Sequence, residues 1–157
     1  MHRKATIVLI ALAACLGLAA CGGSSDKKSS ADSTLNRKQL ATKADSICKP
    51  VNTSADAVTA PASFDDPTTA AAYFGKLVPL HQQETDQLAA LKPDDEVKAD
   101  WDAFMVAQNA NNALLKTILA KATAKDPSGK QDLQEIPAKV AVSTAAAKKF
   151  GSTECGT

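Results

Sequence analysis

The sequence predicts an all-α fold: an antiparallel up-down four-helix bundle, with helices kinked at prolines and preceded by a disordered tether. Aromatic residues make up only 4% of the 157 residues. Alanine, leucine, lysine, aspartate and glutamine are frequent, and this composition favours helix over sheet. Beyond residue 33, apolar residues recur at helical spacing in four segments joined by short turns, which is the pattern of such a bundle.

The first helix is expected to begin with Ser33 or Thr34 as its cap, because a side-chain oxygen there can accept from a free backbone N–H. Its buried stripe is Leu40, Ala44, Ile47, Cys48 and Val51. Pro50 has no N–H to donate and crowds the preceding turn. The helix should therefore kink or restart at Pro50 before ending near Ala60.

The second helix has a clear start signal, since Asp66 can cap it and Pro67 suits its first position. Its expected buried face is Ala70, Phe74, Leu77, Val78, His81, Thr85, Leu88 and Leu91. Pro79 lies inside this segment and should kink it. The helix is expected to end by Lys92 and Pro93.

The third helix is predicted to open at Asp94, because Asp95 and Glu96 then occupy the first turn, where carboxylates oppose the positive end of the helix dipole. Its expected buried face is Val97, Trp101, Phe104, Met105, Gln108, Asn112, Leu115, Ile118, Leu119 and Ala122. The turn signals Asp126 and Pro127 then follow.

The fourth helix is predicted from a further apolar stripe, and Pro137 interrupts it. The stripe is Leu133, Ile136, Val140, Thr144, Ala147 and Phe150. Gly151 follows as the expected C-terminal cap, because glycine adopts the left-handed conformation without a Cβ clash.

A second kind of pattern lies at the start of the chain. A basic head at residues 2–4 precedes an apolar run over residues 5–18, which is too short to span a bilayer. Leu18-Ala19-Ala20-Cys21 follows. This stretch resembles the lipobox of bacterial lipoproteins, and the chain resembles the small lipidated helical proteins of Gram-positive bacteria. The resemblance implies cleavage before Cys21 and attachment of acyl chains, such as palmitate, through its sulfur.

Leu12-Ala13-Ala14-Cys15 fits the same four-residue pattern, but cleavage there leaves a short apolar core and exposes further leucines. Cys21 is followed instead by a polar Gly/Ser/Asp/Lys tract typical of a flexible tether. We therefore predict a lipoprotein signal peptide over 1–20, a lipidated cysteine and tether over 21–33, and a helical domain over 34–157. The expected location is the extracytoplasmic face of the cell membrane.

The cysteines left in the domain are Cys48 and Cys155. Two cysteines in an exported chain most often pair, because the environment is oxidising. A disulfide closing a loop of about 100 residues contributes about 4–5 kcal/mol by chain entropy. A metal site or a redox pair is the alternative, but no Cys-x-x-Cys motif and no neighbouring histidine accompany either cysteine.

His81 is the one histidine of the domain, so the sequence offers no histidine cluster or catalytic triad. If the second and third helices form an antiparallel hairpin turning near residue 93, His81 lies level with Met105 and Gln108. A histidine and a methionine that converge in a bundle can ligate haem iron or copper. The alternative is a histidine at the core edge, hydrogen-bonded to Gln108 or solvent, beside a methionine that fills space.

Four amides interrupt the third helix, at Gln108, Asn109, Asn111 and Asn112. Gln108 and Asn112 fall on its expected buried face, where an amide needs hydrogen-bond partners. These residues form either a polar layer that fixes helix register, a solvated patch, or the lining of a small-ligand pocket.

The near balance of 18 basic and 17 acidic residues gives the chain no electrostatic reason to bind nucleic acid. No serine or threonine has a neighbouring base to activate it, and we predict that the protein is not an enzyme and uses no cofactor. The expected function is binding of a protein, an envelope component or a small ligand by a membrane-anchored domain. The alternative is a metal or haem carrier that uses His81 and Met105.

Overall fold

The computed structural model describes residues 34–156 of the protein. The predicted signal peptide, the lipidated Cys21 and the tether lie outside the described residues. Residues 34–156 are all-helical, with four long helices, one short helix and no strand. None of the helices described is long and apolar enough to cross a membrane.

Helix α1 spans Arg37–Asp56, and its start corrects the predicted cap. Asn36, rather than Ser33 or Thr34, caps the helix: its side chain accepts from Gln39 N at 3.0 Å, and the Gln39 side chain accepts from Asn36 N at 3.2 Å. This reciprocal pair is a capping box.

Helix α1 begins later than predicted because Leu35, the residue before its cap, is hydrogen-bonded to a segment distant in sequence. Leu35 N donates to Lys92 O at 2.8 Å, and Asp94 N donates to Leu35 O at 2.9 Å. Leu35 is thereby extended and pairs with Pro93 as an isolated bridge. An extended residue cannot belong to the helix, so α1 begins after it.

Helix α2 spans Pro67–Ala89 and begins as predicted. The Asp66 carboxylate accepts from Thr68 N at 3.1 Å and from Thr69 N at 3.2 Å. Both α1 and α2 run through their internal prolines, Pro50 and Pro79.

Helix α3 spans Lys98–Ala124 and starts later than the predicted Asp94. Residues 95–97 form a turn instead. Asp94 closes that turn, because its carboxylate accepts from Val97 N at 3.2 Å.

The fourth predicted helix is divided in two. Helix α4 spans Gly129–Leu133 and helix α5 spans Ile136–Phe150. Pro137 lies in the first turn of α5, where a missing N–H costs no hydrogen bond. Gly151 caps α5 with φ 94°, as predicted.

The buried apolar residues form two clusters. The first core contains Leu35, Leu40, Ala44, Cys48, Leu88, Val97, Trp101, Phe104, Ala146, Ala147, Phe150 and Cys155. The second core contains Ala70, Phe74, Leu77, Ile118 and Ala122. Helix α3 packs against α2 and α5, so it contributes to both cores.

The segment after α5 is fixed to α1. The Sγ atoms of Cys48 and Cys155 lie 2.01 Å apart, at the distance of the predicted disulfide bond. One turn earlier in α1, the Asp45 carboxylate accepts from Ser152 Oγ at 2.5 Å and from Glu154 N at 3.1 Å. These contacts hold the C-terminal segment against the bundle.

Candidate functional site

A cavity of 410 Å³ lies beside the second core, within the usual size range of small-molecule sites. Its apolar walls are formed by Phe64, Tyr73, Phe74, Leu77, Leu114, Leu115, Leu133, Ile136, Pro137 and Val140. The rings of Phe64, Tyr73 and Phe74 contact one another, with centroids 5.1, 5.3 and 5.5 Å apart. The apolar lining therefore comes from the loop after α1 and from helices α2, α3, α4 and α5.

One part of the cavity lining is polar. It consists of His81, Glu84, Thr85, Gln108, Asn111, Asn112 and Ser143. Along α2, and again along α3, these polar residues lie between residues of the first core and residues of the second core. We call this set the polar end of the cavity.

Glu84 is almost completely buried at the polar end, with 2% of its surface exposed. Its Oε2 accepts from Gln108 Nε2 at 3.0 Å and lies 3.3 Å from His81 Nδ1. Among the described residues that line the cavity, none is a lysine or an arginine. Neutral donors and one imidazole therefore surround a buried carboxylate.

The side chain of Asn112 is oriented by a network on its outer side. Gln82 Nε2 donates to Asp86 Oδ1 at 2.6 Å, and Gln82 Oε1 accepts from Lys116 Nζ. Because lysine only donates, the Gln82 oxygen faces Asn112 and accepts from its Nδ2 at 2.9 Å. Asn112 is 5% exposed, and its Oδ1 is buried without a hydrogen-bond partner among the described residues.

Asn111 is oriented in the same way from α5. Ser143 Oγ donates its single hydrogen to Val140 O at 3.0 Å. It therefore accepts from Asn111 Nδ2, 2.9 Å away. Within residues 34–156, Asn111 Oδ1 is likewise buried with no partner. Two amide oxygens at the polar end are thus left unbonded, which costs about 1–3 kcal/mol for each buried group.

The C-terminal segment reaches the same cavity through Gly156, which is one of the lining residues. Its carbonyl oxygen accepts from Thr144 Oγ1. Gly156 has φ 74°, and a Cβ there would lie 2.7 Å from Ser143 C. Glycine is required at this position for both conformation and space.

Three of the four residues predicted to bind a ligand line the cavity: His81, Gln108 and Asn112. The fourth, Met105, does not line it and packs against the first core. The separation reflects the register of α2 and α3, in which Glu84 bonds Gln108 and Gln82 bonds Asn112. Met105 is consequently placed further along α2, toward Leu88 and the first core.

Sequence reasoning missed Glu84, although a signal for it exists. Glu84 follows His81 by three residues and precedes Leu88 by four, so helical spacing puts it on the face predicted to be buried. A carboxylate on such a face needs a partner, and that requirement marks it for attention. Asn111 was recognised within the amide patch but was not assigned to the site.

A smaller cavity of 190 Å³ shares Phe64 and Leu133 with the first one. An ion pair borders it, with Lys130 Nζ 2.7 Å from Asp65 Oδ1. This hydrogen bond lowers the pKa of the exposed Asp65 carboxyl. Among the described residues that line this cavity, none is a buried amide without a hydrogen-bond partner.

Comparisons of the chain with protein-family models, with curated proteins and with solved structures found no match.

Proposed function

We propose that the domain is a non-catalytic binding module that holds a small, largely apolar molecule in the 410 Å³ cavity. The observation that carries this proposal is the lining itself: ten apolar residues form one surface, and the polar residues gather at one end. Such a combination of apolar walls and a few oriented polar groups is typical of small-molecule sites.

The unpartnered amide oxygens favour a binding role over a purely structural polar layer. A polar layer that fixes helix register stabilises the fold only when its groups are satisfied. Asn111 and Asn112 each leave one buried oxygen unbonded. A ligand that donates hydrogen bonds to these oxygens would remove the free-energy cost of leaving them unbonded in the protein without ligand.

We further propose that a lipid on Cys21 anchors this domain at the extracytoplasmic face of the membrane. The sequence support is the lipobox resemblance at residues 18–21. The close approach of Cys48 and Cys155 is consistent with export, because disulfides persist in oxidising compartments. A site placed near the bilayer would meet molecules with large apolar parts.

For the architecture, we propose the up-down antiparallel arrangement, with bends at Pro50 and Pro79. Support comes from the order of contacts between α2 and α3. Glu84 bonds Gln108, whereas the earlier Gln82 bonds the later Asn112. In this arrangement the polar end of the cavity lies near the middle of the bundle.

Binding of a neutral fluorescent probe, N-phenyl-1-naphthylamine, tests the proposed function. The wild-type domain should bind it saturably with one site. Leu115→Trp fills the cavity and should weaken binding at least tenfold. Val106→Trp places the same ring on the exposed face of α3, where Val106 is 71% exposed, and should bind as wild type. Equal binding by both folded variants, or no saturable binding by wild type, would overturn the proposal.

A further inference from the structure

We infer that the ligand carries a primary ammonium group, which binds at Glu84 in the polar end of the cavity. This inference rests on the proposed function and specifies the chemical class of the ligand: an apolar body with a single protonated amine.

The charged groups of the lining favour a cationic ligand. Glu84 is 2% exposed, and none of the lining residues in the described part of the chain is a lysine or an arginine. A buried carboxylate is costly unless a cation or several donors compensate it. Its bonds to His81 and Gln108 are both made at Oε2. Within the described residues, Oε1 makes no hydrogen bond, so one carboxylate oxygen is free for a ligand.

Buried acceptor oxygens without partners also favour an ammonium ligand. The hydroxyl of Thr85 donates to His81 O at 2.8 Å, and that of Ser143 donates to Val140 O at 3.0 Å. Neither hydroxyl therefore has a hydrogen left to donate to a ligand. Among the described residues, the buried side-chain atoms of the polar end that lack a hydrogen-bond partner are the Oδ1 oxygens of Asn111 and Asn112. A primary ammonium offers three N–H donors and no acceptor, which matches this end better than a hydroxyl or a carboxylate does.

The apolar part of the lining restricts the rest of the ligand. Beyond the polar end, the lining residues from α2, α3, α4 and α5 are apolar, so a second charged group would be buried without compensation. The ligand therefore has its charge at one end only. An alkyl or aryl amine fits this description.

Isothermal titration with four octyl compounds tests the inference, because they share one tail and differ only in the head group. They are octylammonium, octan-1-ol, octanoate and octyltrimethylammonium. Charge-assisted hydrogen bonds are about twice as strong as neutral ones. We therefore expect octylammonium to bind about tenfold more tightly than octan-1-ol. The quaternary compound, which has no N–H, should bind more weakly than octylammonium, and octanoate should bind most weakly.

Glu84→Gln keeps the size and hydrogen bonding of the side chain and removes its charge. It should bring the affinities for octylammonium and octan-1-ol within about twofold of each other. Glu96→Gln makes the same change at an exposed turn residue and should keep the tenfold preference. The head-group series on the wild-type protein decides the inference even if Glu84→Gln does not fold.

The outcomes separate the inference from the proposed function. Octan-1-ol or octanoate binding as tightly as octylammonium would refute the ammonium assignment and leave the cavity as a binding site. Equal affinity for the quaternary and primary amines would also refute it, because hydrogen bonding would then play no part. If no octyl compound binds saturably, the proposed function fails as well.

Discussion

Replacing Asn112 by leucine should stabilise the protein, although it removes a hydrogen-bonded polar side chain. Asn112 is 5% exposed, and its Oδ1 has no partner among the residues described. Leucine has a similar shape, so the change removes an unsatisfied buried acceptor and adds apolar contact. If Asn112 serves the proposed binding site, this cost is an example of the exchange of stability for function that is common at functional sites.

The magnitude follows from two opposing terms. Removing the unbonded oxygen stabilises the protein by about 1–3 kcal/mol. Losing the 2.9 Å bond from Asn112 Nδ2 to Gln82 Oε1 costs about 0.5–1.5 kcal/mol. Gln82 Oε1 keeps its bond from Lys116 Nζ and is not left unpaired. The net expectation is a gain of about 1 kcal/mol.

Urea unfolding followed by the fluorescence of Trp101 measures this difference. Asn109→Leu is the matched control, because Asn109 is an exposed asparagine of the same helix; it should change the free energy of unfolding by less than about 0.5 kcal/mol. Asn112→Leu should also bind octylammonium more weakly than wild type. A loss of stability of 1 kcal/mol or more in Asn112→Leu would refute the reasoning, because the oxygen would then be satisfied in solution.

Three further predictions concern the scaffold. Reducing the Cys48–Cys155 bond, which spans a sequence separation of 107 residues, should lower the free energy of unfolding by about 2–5 kcal/mol, measured in urea with and without reductant; no change would contradict the pairing. Gly156→Ala should destabilise by at least about 1 kcal/mol because φ is 74° and the new Cβ meets α5 backbone at 2.7 Å. Gly75→Ala, whose Cβ meets nothing closer than 4.0 Å, should stabilise the protein by about 1 kcal/mol. A higher melting temperature for Gly156→Ala than for Gly75→Ala would be inconsistent with the structure. The pKa of Asp66 is lowered from 3.8, chiefly by a threonine hydroxyl in the first turn of α2. The ionised carboxylate therefore stabilises the folded state above pH 3.8, and this stabilisation is lost as the pH falls through the lower pKa of the folded state. Asp66→Asn keeps a capping oxygen but does not titrate, so its melting temperature should fall less between pH 5 and pH 2 than that of wild type.

The helix starts show why some elements are predictable from sequence. Asp66 and Pro67 begin α2 by local chemistry alone, and the structure confirms them. The starts of α1 and α3 depend on the pairing of Leu35 with residues 92–94, which are distant in sequence. No local signal describes that pairing, and both starts were therefore predicted too early.

The site shows a similar division. The amides of α3 stand out in the sequence, and Gln108 and Asn112 line the cavity. The expected register of α2 and α3 differs from the observed one, in which Glu84 bonds Gln108 and Gln82 bonds Asn112. Register between two helices depends on how whole faces pack, and a hairpin estimate from the turn position misses it by about one turn. That error placed Met105 beside His81.

The cavity itself is the least predictable feature. Its walls come from the loop residue Phe64, from Leu133 in α4 and from Val140 in α5, as well as from α2 and α3. Each of these residues reads as an ordinary core position in its own segment. Whether such positions fill a core or surround a space depends on the packing of all the helices together.

Methyl chemical shifts during a titration with octylammonium test the central claim most directly. Methyl groups that line the cavity belong to Leu77, Leu115, Ile136 and Val140. Those of Leu40, Leu88 and Val97 lie in the first core and serve as internal controls. We predict saturable shifts of the cavity methyls with one dissociation constant and no shift in the first core. Shifts spread equally over both groups, or no saturable shift at all, would contradict a binding site in this cavity.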